Sequence, residues 1–67
     1  MIQLVVNGEN REVEDNLSVS GLLGKLGATP EGVAVEMNPK ILDRQDYGRT
    51  VLKNGDRLEI ISFVGGG

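Results

Sequence analysis

The stretch of this chain best suited to chemistry is its last: Glu59-Ile60-Ile61-Ser62-Phe63-Val64-Gly65-Gly66-Gly67. A β-branched, apolar run feeds directly into three glycines. Glycine has no Cβ, so such a segment is thin enough to thread a narrow channel. Three extended residues reach roughly 10 Å, enough to carry a terminal group beyond the body of a domain. The group expected there is the Gly67 carboxylate. With a reference pKa of about 3.3–3.7 it is ionised at neutral pH and a poor electrophile. It needs a leaving group first, most economically as an acyl-adenylate made from ATP. A sulfur or nitrogen nucleophile can then displace AMP. The competing reading is a frayed end, since glycine-rich termini are often disordered. The glycines' position directly after a strand favours the arm.

Other chemistry is scarce. The chain has no His and no Cys, which removes the commonest general base and the best nucleophile. Gly21-Leu22-Leu23-Gly24-Lys25-Leu26 superficially resembles a phosphate loop, but its spacing is wrong and no Ser or Thr follows Lys25. Glu14 and Asp15 are adjacent and point to opposite faces of an extended chain. Asp43 and Asp46 fit one helical turn, where surface solvation is the plainer reading. No metal site is expected, and a self-sufficient enzyme is not. The chain reads instead as a protein co-substrate of partner enzymes.

Composition narrows the partners. The net charge is −3, with six acids against two bases in residues 1–36 and four against five in residues 37–67. Nucleic-acid binding wants a strongly basic footprint, and one Phe, one Tyr and no Trp leave little to stack on bases. No apolar stretch approaches the roughly 20 residues that span a bilayer, and Met1-Ile2-Gln3-Leu4 lacks the basic region of a signal peptide. With no cysteine, a reducing cytoplasm is the expected location.

The elements that must position the terminus follow from periodicity. Ile2, Leu4 and Val6 alternate with Gln3, Val5 and Asn7, as in a strand. Asn7-Gly8 is a hairpin turn signal, with a return strand expected over Arg11–Asp15 and Val13 inward. Ser18 can cap a helix, and Val19, Leu22, Leu23 and Leu26 form one helical stripe. Gly27 sits where a left-handed C-cap belongs, and Pro30 cannot continue the helix. Gly21 and Gly24 each cost about 1 kcal/mol relative to Ala. Burying four aliphatic side chains at roughly 1.5–3 kcal/mol each outweighs that. Val33, Val35 and Met37 mark a third strand ending at Asn38-Pro39. Residues 41–50 read as irregular, with a helical turn beginning at Asp43. Val51-Leu52 reads as a very short strand, Lys53-Asn54-Gly55-Asp56 as a tight turn, and Arg57–Val64 as the last strand. One striped helix laid across one face of a mixed sheet is the economical solution. That is an α+β fold, the ubiquitin-like β-grasp. At 67 residues it makes one domain, with residues 64–67 expected as a flexible tail.

Parity in the last strand adds a second clue. If Leu58 and Ile60 face the core, then Arg57, Glu59, Ile61 and Phe63 face out. Val5 and Ala34 have the same outward parity. A contiguous Val5–Ala34–Ile61–Phe63 patch next to the tail, continued by Val64, would be a docking surface. A bulge that turns Ile61 or Phe63 inward is the alternative.

These residues together resemble the ThiS family, ubiquitin-like sulfur carriers of thiamin (thiazole) biosynthesis. The resemblance covers the whole length. It rests on the opening strand with Asn7-Gly8, on Val33-Ala34-Val35-Glu36-Met37-Asn38, and on Ile41 with Arg44. It continues through Leu52-Lys53-Asn54-Gly55-Asp56-Arg57-Leu58-Glu59-Ile60 and Phe63-Val64-Gly65-Gly66-Gly67. The resemblance implies that a ThiF-type adenylyltransferase uses Mg-ATP to adenylate Gly67, the carrier itself binding no cofactor. Sulfur from a cysteine-desulfurase route then gives a thiocarboxylate, which the thiazole synthase ThiG consumes. The family's Gly-Gly maps onto Gly66 and Gly67, with Gly65 an additional glycine. The alternatives are a MoaD-like carrier for molybdopterin, another sulfur-insertion pathway, and a non-covalent ubiquitin-like interaction module. MoaD proteins favour prolines where Ser62-Phe63-Val64 stands here.

Overall fold

A computed structural model describes residues 1–63. Asn7 (φ 51°) and Gly8 (φ 81°) both take left-handed backbone, the requirement of the two-residue hairpin turn that Asn-Gly meets. β1 (Ile2–Val6) therefore turns straight into β2 (Glu9–Val13), with Val6 opposite Glu9 and Ile2 opposite Val13. The return strand begins two residues earlier than expected and stops at Val13, because so tight a turn starts the pairing at once.

The helix α1 (Val19–Lys25) is closed at both ends by its own sequence. The Ser18 hydroxyl accepts from the Gly21 N–H at 3.0 Å. At the other end the Ala28 N–H donates to the Leu23 carbonyl at 2.9 Å and the Gly27 N–H to that of Gly24 at 3.2 Å. With Gly27 at φ 75°, this is a Schellman cap, which satisfies carbonyls the helix end leaves open. The two helix glycines differ. A Cβ on Gly21 would meet Leu17 Cδ1 at 2.6 Å, whereas one on Gly24 would meet nothing within 4 Å. Gly24→Ala is therefore expected to raise stability by roughly 0.5–1 kcal/mol. Gly21→Ala should show no such gain, because Leu17 must move. Urea titration of the two variants checks the contrast.

β3 (Val33–Met37), β4 (Lys40–Ile41) and β5 (Arg57–Ser62) complete a five-stranded sheet in the order β2-β1-β5-β3-β4. Among the described residues only β1 and β5 run parallel, so the sheet is mixed, as expected of a β-grasp. β4 straddles the start of the stretch read as irregular, with only Ile41 inside it; it is two residues long and pairs with Glu36 and Met37. The turn expected at Asp43 is a short 3₁₀ helix, Arg44–Asp46, with Asp43 at its start. Val51 makes a single bridge to Ser18 rather than a strand. The last strand ends at Ser62; Val64, placed in it by periodicity, lies outside the described residues.

The helix stripe and one sheet face share the core. Val19, Leu22 and Leu23 pack with Leu4, Val6, Val35 and Leu58, all at most 4% exposed. Leu26 packs at its margin, half-buried. Tyr47 and Leu52 close the open end, at 3% and 2% exposure. No buried polar or charged residue occurs among those described.

Candidate functional site

β5 is the middle strand, and its neighbours give out at different points. On one side β1 pairs with it at Arg57 and Leu58 and then turns away. The Asn7 side chain continues the ladder in place of backbone. Its Oδ1 accepts from the Ile60 N–H at 2.7 Å, and its Nδ2 donates to the Ile60 carbonyl at 3.3 Å. On the β3 side Asn38 extends the pairing at the strand's start, its Oδ1 accepting from the Arg57 N–H at 2.8 Å and its backbone N–H donating to the Arg57 carbonyl at 3.0 Å. Along that side β3 pairs from Met37–Leu58 to Val33–Ser62 without a bulge, and the Phe63 N–H donates to the Gly32 carbonyl at 2.9 Å. The chain leading to the glycines is thus held by two strands, then by β3 alone.

Asn7 carries two jobs, left-handed turn backbone and strand surrogate. Asn7→Ala is expected to cost about 2 kcal/mol, the sum of two modest hydrogen bonds and the strain of alanine at positive φ. Asn7→Gly should recover the strain part only. Thermal melts, with hydrogen exchange at the Ile60 amide, separate the two contributions.

Continuous register decides the parity question. Leu58 is buried and Ile60 half-buried, while Ile61 is 56% and Phe63 66% exposed. Both large apolar side chains face solvent on the sheet face opposite the helix, and Ala34 sits directly across from Ile61. Val5 shares that face but pairs with Arg57, four residues before Ile61 and so roughly 13 Å from it along the strand. Glu59 and Glu36 come between. The expected four-residue patch is therefore an Ile61–Ala34–Phe63 ridge with Val5 set apart. Val64, Gly65, Gly66 and Gly67 lie outside the described residues.

The other candidate side chains are engaged locally. Lys25, in the helix, pairs with Glu14 at 3.1 Å. The Glu14 carboxyl is held below its ordinary value by a hydrogen bond from its own backbone N–H and then by Lys25. Asp15 pairs with the amino terminus at 3.0 Å, and Asp46 with Arg49. Among the described residues no His, Cys, Asp or Glu cluster could hold a metal ion, and no helix is long and apolar enough to cross a membrane.

Sequence reasoning missed the side-chain amides of Asn7 and Asn38 as supports for β5. An Asn just after β1 and another just after β3 was the available signal. It says nothing without the strand order.

The fold is shared with known proteins. The chain superposes on the crystal structure of a thiamine biosynthesis protein (ThiS) from Geobacter metallireducens with TM-score 0.82 and 39% identity, covering 98% of this chain and 100% of that one. It is 42% identical over 66 residues to a thiazole synthase of Paramagnetospirillum magneticum and 41% to one of Magnetococcus marinus. Those matches cover 98% of this chain but only 20% of each synthase, so the chain spans about a fifth of their length. A family model described as the ThiS family matches residues 4–67, the glycines included, and the chain belongs to that family.

Proposed function

We propose that this chain is a sulfur carrier for thiamine biosynthesis, working through the Gly67 carboxylate. A ThiF-type adenylyltransferase, with its own Mg-ATP, would join a carboxylate oxygen to the α-phosphorus and release pyrophosphate. A persulfide sulfur, supplied through a cysteine-desulfurase route, would then attack the acyl carbon and expel AMP, and a thiol would cleave the resulting acyl disulfide, leaving the thiocarboxylate and a new disulfide on the donor side. Thiazole synthase is the consumer. The chain is then a co-substrate of these enzymes rather than a catalyst, in the cytoplasm where ATP and thiol-borne sulfur are at hand.

The observation that carries the reading is the family match running through Gly67. Two further features support it. β5 runs to Ser62 and the Phe63 N–H is still held by the Gly32 carbonyl, so the backbone is anchored up to the last residue before Val64 and the glycines in the sequence. In the two thiazole synthases, a segment similar to nearly this whole chain makes up a fifth of the polypeptide, which joins a carrier-like part to the enzyme proposed to use it.

Complementation tests the reading. In a thiamin auxotroph lacking its own carrier, the full chain is expected to restore growth and a chain without Gly66-Gly67 is not. Equal rescue by the truncated chain would mean the sheet face alone does the work, as in a non-covalent interaction module.

A further inference from the structure

Beside the apolar ridge, the open face carries a feature that the fold itself does not explain. Glu36 of β3 and Glu59 of β5 are register partners, so their side chains leave the same face with Cβ atoms about 5 Å apart. Like charges placed directly opposite destabilise a sheet. Among the described residues neither carboxylate has a Lys or Arg within ion-pair distance. Arg57 shares the face but is paired with neither. The two glutamates line an open groove of about 620 Å³ together with Val5, Pro39 and Arg57. The next same-face pair along β5 and β3 is Ile61 and Ala34, so acid groove and apolar ridge form one surface running toward Phe63.

We propose that this groove receives a cationic side chain, arginine or lysine, from the adenylating enzyme, seated between the Glu36 and Glu59 carboxylates while Ile61 and Phe63 meet its apolar surface. The proposal rests on the sulfur-carrier reading and names the chemistry of that partner. A single cation within reach of both carboxylates relieves their repulsion and gains charge-assisted hydrogen bonds from each. The apolar ridge alone would leave the rotation of one protein on the other loosely set. A charged contact at its far end fixes register and raises the on-rate at low salt.

The test uses the full chain and its adenylating enzyme, comparing wild type with the Glu36→Gln/Glu59→Gln double variant at low and high salt. The double variant is expected to melt at a higher temperature, since the repulsion is gone, and to bind about tenfold more weakly at low salt. Its association rate should also depend less on salt. Affinity and salt dependence equal to wild type would overturn the proposal. Should the double variant melt lower than wild type, Glu59→Gln alone, at the more exposed position, is judged by the same criteria. Sulfur loading at saturating enzyme is read in parallel. A wild-type chain that binds but never gains sulfur refutes the carrier reading, whereas a variant that loads normally and binds normally refutes only the groove.

Discussion

Phe63→Glu is expected to leave the fold intact and to weaken docking to the adenylating enzyme by about 1 kcal/mol or more, roughly fivefold in affinity. The two halves of that expectation have separate causes. Phe63 is held through its backbone N–H, which donates to Gly32, while its side chain is 66% exposed. A glutamate there keeps the hydrogen bond and puts a carboxylate into water, at little cost to the folded state. On docking, the same ring would bury most of its apolar surface, a gain of about 1.5–3 kcal/mol for complete burial. A carboxylate in its place must be desolvated and adds a third acid to the face that already carries Glu36 and Glu59. Circular dichroism and titration calorimetry on one preparation check both halves. A variant that unfolds would show the ring to be core, and one that binds as well as wild type would remove Phe63 from the docking surface.

The second large effect concerns stability. Leu58→Ala is expected to cost about 2–5 kcal/mol, against a total that for a domain of this size is rarely above about 3–5 kcal/mol. Leu58 is 2% exposed on the middle strand, paired with Val6 on one side and Met37 on the other. Neither strand can close on the cavity without breaking the register that aims β5. With no cysteine in the chain, no disulfide compensates, and a largely unfolded population at room temperature is the expected result. Urea unfolding gives the number. A loss under about 1 kcal/mol would mean the sheet collapses onto the gap, and that the middle strand is less rigidly placed than the geometry indicates. Adding Gly24→Ala to Leu58→Ala should recover part of the loss, since Gly24 is exposed and lies outside the core cluster.

Much of this was legible in the residues because it is local. Alternation marks β1 and β3, the Ser18 cap and Gly27 bracket the helix, and Asn7-Gly8 declares its turn. The outward parity of Ile61 and Phe63 needs only a strand free of bulges, which β5 is. What could not be read depends on partners distant in sequence. β4 is two residues long and has no period to detect; its existence comes from Glu36 and Met37 across the turn. Tyr47 fills the core from a stretch with no regular pattern, placed there by a 3₁₀ turn whose start at Asp43 was visible but whose direction was not. Val5 has the right parity for the patch and the wrong neighbour, because the parallel register with β5 sets it beside Arg57. The facing of Glu36 and Glu59 likewise exists only once β3 and β5 are aligned.

The most direct measurement is the intact mass of the chain after incubation with its adenylating enzyme, ATP and a sulfur source. The account predicts an increase equal to one oxygen exchanged for one sulfur, dependent on ATP and lost when Gly67 is deleted. No such change with the proper enzyme, or an identical change in the chain lacking Gly67, would contradict it.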